Sequence, residues 1–290
     1  MRIALVTSAE FPSLTDDDRP LIQAVGRGGA IAVPVCWNGL GIAWNDFDSI
    51  VLRSCWDYHL QPGEFSNWIE RIASSGATVW NPPPLIRWNM DKRYLDALAE
   101  RGVPVPPTVW LRKGEPVSLG ETLSRAGWAH AVVKPTVSAA AMDTWRVRAI
   151  RAEELEADFS ALLGRGDVMV QRFVDEVIQD GEWSLVFIAG EYSHAVIKRP
   201  LAGDFRVQPQ HGGCAASAVP TDSVLAQACR IASQLPGPWL FARVDGIVVA
   251  GVFLLMEVEC IEPRLYLGTH PDSYDRITEG LTSLAKKPGT

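Results

Sequence analysis

The sequence contains no apolar run approaching the roughly 18 residues that a membrane-spanning helix needs, no internal repeat and no low-complexity stretch. Its five cysteines, Cys36, Cys55, Cys214, Cys229 and Cys260, are odd in number and scattered, with no Cys-x-x-Cys pair. That pattern excludes a disulfide framework and a zinc site and fits reduced thiols. There is no basic excess either. A net charge of -7 argues against nucleic acid or an anionic membrane as partner. Nucleotides stay open, because a few local lysines can hold them. No Ser-His-Asp or Cys-His arrangement has supporting context, and His194 has no partner at metal-ligand spacing. The apolar run near Met1 is too short for the core of a signal peptide. The expectation is a cytoplasmic soluble protein acting on a small molecule.

What is present is enough chain, 290 residues, for about two domains and a large core. Apolar strands are predicted at 3–7, 30–35, 49–52 and 78–80, with helices at 20–28 and 64–74. In the second helix Phe65, Trp68, Ile69 and Ile72 recur at helical spacing. Strand, helix, strand, strand, helix, strand predicts a small open α/β sheet, which takes ligands beyond the carboxyl ends of its strands. The acidic loop Asp16-Asp-Asp18 and the segment Arg53-Ser-Cys-Trp-Asp-Tyr58 fall there. Arg53 and Asp57 are therefore candidate contacts for a zwitterionic substrate, with a salt bridge capping the sheet as the competing reading.

The triple proline at 82–84 marks the first boundary. A helix over 89–102, capped by Asn89 and stopped by Gly102, opens an α+β unit with antiparallel strands near 109–111, 131–135, 145–148 and 168–171. Helices at 120–126 and 152–163 complete it. From residue 173 strands dominate, at 182–188 and at 191–197 across a Gly190 turn. Residues 203–216 read as a polar glycine-rich loop, 223–234 as a helix, and the tail after 272 as a helix to about 284.

Near the C-terminus, residues 241–259 read as two strands joined at Ala250-Gly251. Alternation puts Val252, Leu254, Met256, Val258 and Cys260 on one apolar face and Phe253, Leu255, Glu257, Glu259 and Ile261 on the other. With a three-residue loop centred on Gly251, Asp245 falls opposite Glu257 and Arg243 opposite Glu259. Carboxylates this close in apolar surroundings repel one another unless cations neutralise them. Oxygen-only ligands suit hard Mg2+ or Mn2+. An ion-pair cluster on a solvated sheet face is the alternative.

Two lysines stand out by position. Lys92 lies in the first turn of its expected helix, and Lys134 ends a buried apolar strand beside a loop of small residues. A lysine so placed sets a point charge against phosphate while loop N–H groups approach it. Gln171 to Val174 could offer backbone groups to a purine edge. His211, beside Gly212-Gly213, is a minor candidate for substrate contact.

In order, Asn-Met-Asp-Lys92, Val-Val-Lys134-Pro, Gln171-Arg-Phe-Val174, Gly-Glu182, Lys198-Arg-Pro, Asp-Phe-Arg206, Gly212-Gly, Arg243-Val-Asp245 and Glu257-Val-Glu259 resemble the ATP-grasp superfamily of carboxylate–amine ligases. The resemblance covers about 89–265. It implies an N-terminal open α/β domain (1–84) that precedes a two-part ATP-grasp fold, with subdomains 85–172 and 173–290. It further implies that Lys92 and Lys134 hold the α- and β-phosphates of ATP. Gln171, Phe173 and Val174 would frame the adenine, and Glu182 the ribose. Lys198 and Arg206 would reach the γ-phosphate or activated carboxylate. Asp245, Glu257 and Glu259 would bind two Mg2+, and Arg243 would stabilise the reacting acyl group. Proteins of this size in the family resemble homo-oligomers.

Leu52 to Tyr58, Trp80-Asn-Pro, Asp204 to Gln208 and Glu259-x-x-Glu262-Pro resemble a narrower branch, that of D-cycloserine synthetase, which implies cyclisation of O-ureido-D-serine. Two features depart from the wider pattern: the loop Ser138-Ala-Ala-Ala-Met142 has no glycine, and Glu259 stands where many relatives carry Asn. Two alternatives stay open, an intermolecular amino-acid or peptide ligase and a nucleotide-binding module without chemistry.

Overall fold

The computed structural model describes residues 1–139 and 141–284; Ala140 of the glycine-free loop and the tail beyond 284 lie outside the described residues. The chain opens with β1 (Arg2–Thr7), α1 (Leu21–Arg27), β2 (Ile31–Cys36), β3 (Ser49–Ser54), α2 (Pro62–Ala73) and β4 (Thr78–Trp80). The strands form a parallel sheet in the order β2-β1-β3-β4, as an open α/β unit should. Parallel strands covered on both faces read as continuous apolar runs, and β1 and β3 are buried along almost their whole length. Phe65, Trp68, Ile69 and Ile72 of α2 pack into a core with Ile50 and Leu52 of β3. The unit is closed from the far end of the chain: Ile3, Leu5, Val25 and Val51 share a second core with Leu265, Leu267, Ile277 and Leu281.

The triple proline forms no linker. Pro83 and Pro84 occupy the first turn of α3 (Pro83–Met90), where the missing N–H would have had no helical partner. The single helix expected over 89–102 is also two. It breaks at Asp91, which is extended at φ -108° and ψ 122°, and resumes as α4 (Tyr94–Glu100). Asn89 is not a cap. Its side chain donates to the Val258 carbonyl at 2.7 Å and accepts from the Cys260 N–H at 2.7 Å. The Lys92 N–H donates to the Thr136 carbonyl at 2.9 Å. Tertiary hydrogen bonds therefore outweigh the local preference to continue the helix.

Next come β5 (Thr108–Leu111), α5 (Leu119–Ala126), β6 (His130–Pro135), β7 (Trp145–Arg148), α6 (Glu156–Arg165) and β8 (Val168–Arg172), with an antiparallel sheet in the order β5-β8-β6-β7. The helix expected at 152–163 begins as a 3-10 stretch, Ala149–Leu155, before α6. Then follow α7 (Glu176–Gln179), β9 (Glu182–Ile188), β10 (Glu191–Arg199), β11 (Cys214–Ala218), α8 (Asp222–Ala232), β12 (Phe241–Val249), β13 (Val252–Glu259) and α9 (Asp272–Leu284). Their sheet has the order β11-β10-β9-β12-β13. β11 lies within the stretch that reads as a polar loop. It is an exposed edge of small residues and so carries no alternating apolar signal.

The β12–β13 hairpin reaches its expected pairing by an unexpected route. Arg243 pairs with Glu259 and Asp245 with Glu257. The turn has only two residues, Ala250 and Gly251, with φ of 49° and 82°, and a bulge between Asp245 and Gly246 restores the register. A bulge also swaps the faces of a strand. Phe253 and Leu255 join Val258 and Cys260 in one core, whereas Leu254 and Met256 pack with Ile247 in another. The unbroken face expected from Val252 to Cys260 does not form. Glycine is required at the bulge: a Cβ on Gly246 would lie 2.3 Å from Phe253 Cζ and 2.7 Å from the Leu254 carbonyl oxygen. Among the described residues, no helix is long and apolar enough to cross a membrane.

Candidate active site

A cavity of about 320 Å³ opens where the two antiparallel sheets meet the segment that follows β3. One end is apolar. Phe173, Val174, Val177 and Val207 pack there with Ile247 and Met256. Phe205 meets the Phe173 ring edge-on at 5.9 Å, and the Arg146 guanidinium lies 3.8 Å from its centroid. Gln171 is buried at this end and donates to Thr108 Oγ1 at 3.2 Å. An apolar slot with polar groups at its edge suits a flat heteroaromatic ring.

The other end is charged. Arg243 grips Asp245 through hydrogen bonds of 2.8 to 3.2 Å, possible because residues i and i+2 of β12 share a face. The same guanidinium reaches Glu259 on the paired strand and the Arg264 carbonyl at 2.9 Å. Lys198 lies 2.8 Å from Asp245 and 2.5 Å from Glu182, and Ser184 Oγ donates to Asp245 at 2.7 Å. Lys92 is 3.1 Å from Glu257 and donates to the Ser138 carbonyl at 2.7 Å. Lys134 has no carboxylate within ion-pairing distance among the described residues, although it lines the same cavity.

Burial opposes charge on every one of these groups, and the neighbours decide the outcome. It would raise the Asp245 carboxyl, but Arg243 and Lys198 outweigh it and hold the pKa well below the usual range. Glu257 ends lowered, because Lys92 and Lys134 overcome its burial. Lys198 ends raised, Asp245 and Glu182 prevailing over burial. Glu259 is pushed up to about 7, because burial and the nearby Glu257 and Asp245 exceed the pull of Arg243. Burial and Glu259 push Glu262 well above the ordinary carboxylate range. Burial also lowers the Lys134 ammonium, with Lys92 adding to the effect against the pull of Glu257.

Lys92, Lys134, Gln171, Phe173, Val174, Glu182, Lys198, Arg206, Arg243, Asp245, Glu257 and Glu259 thus line one cavity. Arg206 is also held by Asp204 at 2.8 Å. Arg53, Asp57 and His211 do not line it. Arg53 is fully buried against Asp18, so the sheet-capping salt bridge is the correct reading. Asp57 accepts from Trp37 Nε1 at 2.8 Å. His211 ends a 3-10 turn, Pro209–His211, and its neighbours Gln208 and Gln210 line the cavity instead. From the Arg53 segment it is Trp56 and Tyr58 that face inward. Their two-residue spacing, with Asp57 between them turned to Trp37, was the available signal. Glu262 was likewise visible only as part of a motif.

The donor chemistry fits a hard divalent cation, since the candidates Asp245, Glu257 and Glu259 are all carboxylates, and Glu259 is driven towards protonation by burial and by the neighbouring Glu257 and Asp245. Among the described residues, no group of three or more His, Cys, Asp or Glu side chains converges closely enough to hold a metal ion. Lys92, Lys198 and Arg243 lie on the oxygens of the expected ligands.

Residues 3–81 match the family model described as D-cycloserine synthetase DcsG, N-terminal domain. The chain is 31% identical over 299 residues to the Cycloserine biosynthesis protein DcsG of Streptomyces lavendulae, covering 98% of this chain and 99% of that one. It is 32% identical over 226 residues to the Glutathione synthetase of Prochlorococcus marinus (strain MIT 9313), covering 73% and 68%. The crystal structure of D-cycloserine synthetase DcsG superposes with a TM-score of 0.86 at 32% identity, covering 99% of this chain and all of that one. A RimK domain ATP-grasp protein from Sphaerobacter thermophilus DSM 20745 superposes at 0.73 with 19% identity, covering 98% and 100%, a likeness of fold.

Proposed function

The chain belongs to the family of D-cycloserine synthetase DcsG, within the ATP-grasp ligases, and on that premise we propose that it activates a small substrate's carboxylate with ATP for attack by nitrogen. The products would be ADP and phosphate, and the substrate O-ureido-D-serine, whose oxygen-bound ureido nitrogen displaces phosphate to close the ring, after which water removes the carbamoyl group as carbon dioxide and ammonia to leave D-cycloserine. The reading is supported above all by one cavity that joins an apolar aromatic slot to Lys92, Lys134, Lys198 and Arg243.

Phosphoryl transfer depends on positioning and on neutralising charge spread over phosphoryl oxygens, more than on a covalent nucleophile. Gln171, Phe173 and Val174 would frame the adenine, with Glu182 at the ribose. Among the described residues Lys134 has no carboxylate within ion-pairing distance, and it would move least to meet the phosphate chain. Lys92, anchored on Ser138, would meet it from the other side. Lys198 and Arg206 would face the γ-phosphate. Asp245, Glu257 and Glu259 would hold Mg2+, two ions by family analogy with Mn2+ as a substitute, which supplies further neutralisation when bound. Arg243 would orient the reacting carboxylate in a cavity that shields an acyl phosphate from water. The division into 1–84, 85–172 and 173–290 and a homo-oligomeric state accompany this reading.

The test is to give the purified protein ATP, Mg2+ and O-ureido-D-serine. ADP, phosphate and D-cycloserine are expected. AMP and pyrophosphate would sink the mechanism. Products formed only from pairs of amino acids would shift the reading to intermolecular ligation.

A further inference from the structure

The acidic side chains lining the cavity are Glu182, Asp245, Glu257, Glu259 and Glu262. Four of them have a cationic partner. Lys198 serves Glu182 and Asp245, Lys92 serves Glu257, and Arg243 serves Asp245 and Glu259. Glu262 does not. Among the described residues no Lys, Arg or His nitrogen lies within ion-pairing distance of its carboxyl, which meets its own backbone N–H. The residue is only 8% exposed.

Nor is Glu262 free to swing away. Trp56 Nε1 donates to its backbone carbonyl at 2.9 Å, and Arg53 Nη2 donates to the next carbonyl, that of Pro263, at 2.9 Å. Ile261 is buried in the core of the N-terminal sheet. Two residues beyond Glu262, the Arg264 carbonyl accepts from Arg243 Nη1. A short segment clamped at both ends therefore holds an unpaired carboxyl in the cavity. A buried carboxylate without a partner is strongly unfavourable, so without one the carboxyl is held towards its neutral form, and a cation brought by the ligand is what would let it ionise. A compact ammonium needs one carboxylate and aromatic walls, which Trp56 and Tyr58 provide on the same cavity. A metal ion needs several oxygens, and the carboxylates that would hold one here are Asp245, Glu257 and Glu259 on β12 and β13.

We propose that Glu262 binds the α-ammonium group of the amino-acid substrate, at the end of the cavity where Arg243 meets its carboxylate. Glu262 is then a specificity residue: the pair reads a zwitterion and fixes which way the substrate lies. The assignment of Arg243 rests on the ligase reading, whereas that of Glu262 rests on its own missing partner.

The experiment measures equilibrium binding by calorimetry, with a non-hydrolysable ATP analogue and Mg2+ present. The ligands are O-ureido-D-serine and the same compound without its amine, 3-(ureidooxy)propanoate. For the wild type the amine should improve affinity at least about 30-fold. Glu262→Gln should lose that advantage to within about threefold and leave the desamino compound and the nucleotide analogue binding as before; Glu262→Asp should keep part of it. An intact preference for the amine in Glu262→Gln overturns the proposal. So does unchanged affinity for O-ureido-D-serine together with a raised Mg2+ requirement, which would place Glu262 on the metal side. Turnover is measured separately: a wild type that binds both compounds as expected but releases no ADP removes the ligase reading and upholds the role of Glu262.

Discussion

Arg53 closes on Asp18 through two hydrogen bonds to one carboxylate oxygen, 2.7 and 2.9 Å long, with both side chains buried. Ser54 Oγ donates to the other oxygen at 2.7 Å, and Arg53 Nη2 also serves the Pro263 carbonyl. The pair ties the N-terminal sheet to the segment that carries Glu262.

Breaking one side of a buried pair leaves an uncompensated charge. Arg53→Met should cost about 3–5 kcal/mol of unfolding free energy in a denaturant titration. Affinity for the ATP analogue should stay at the wild-type value wherever the variant is folded, because neither residue lines the cavity. A loss under 1 kcal/mol would show that the pair adds little.

Gly246 sits under the Phe253 ring at the bulge. Gly246→Ala forces ring or strand to move and should cost roughly 1–3 kcal/mol, as overpacking does. It will appear as a lower denaturant midpoint. An unchanged midpoint would mean that the bulge relaxes freely.

Lys134→Ala and Glu257→Gln should each lower kcat at least about 100-fold, near 3 kcal/mol of barrier, with the thermal midpoint little changed. A near-wild-type rate in either variant would remove that residue from the machinery.

His194 is buried, stacks on His270 with ring centroids 5.4 Å apart, and shares a hydrogen bond of 2.8 Å with the Leu265 carbonyl. Burial lowers its pKa from 6.5 to about 4. The unfolded chain therefore binds this proton first, and stability is lost as pH falls from about 6.5 to about 4. The loss is on the order of 3 kcal/mol across that window. His194→Gln should flatten this part of the stability curve. An equally steep fall in the variant would assign the pH dependence elsewhere.

Much of the site was legible from strand alternation. Arg243 and Asp245 share a face because they are two residues apart, and the pairing with Glu259 and Glu257 follows from the hairpin. Lys134 was legible as a charge at the end of an apolar strand. The two-residue turn and its bulge were not, because a three-residue turn yields the same pairing. The strand pairing puts the extra residue, Met256, on β13 opposite the step from Asp245 to Gly246, and the clash of a Cβ at Gly246 with Phe253 is why that position is glycine. Asn81 was legible only as part of the Trp80-Asn-Pro motif, and its role was not. It is fully buried, donates to the Phe241 and Cys260 carbonyls at 2.7 and 2.8 Å, and accepts from the Leu240 N–H at 2.7 Å.

By itself the sequence determined the α/β start, the antiparallel sheets that follow and the clustering of charge on β12 and β13, since these depend on neighbours a few residues apart. The tertiary structure decided which charges are spent on one another. Arg53 was drawn from substrate to Asp18, 35 residues away, and to Pro263, 210 away. Among the described residues Glu262 was left without a cation within ion-pairing distance, while Lys92, Lys198 and Arg243 were spent on other carboxylates. Charges in a low-dielectric cavity pair by distance in space, and alternation along a strand carries no information about that distance.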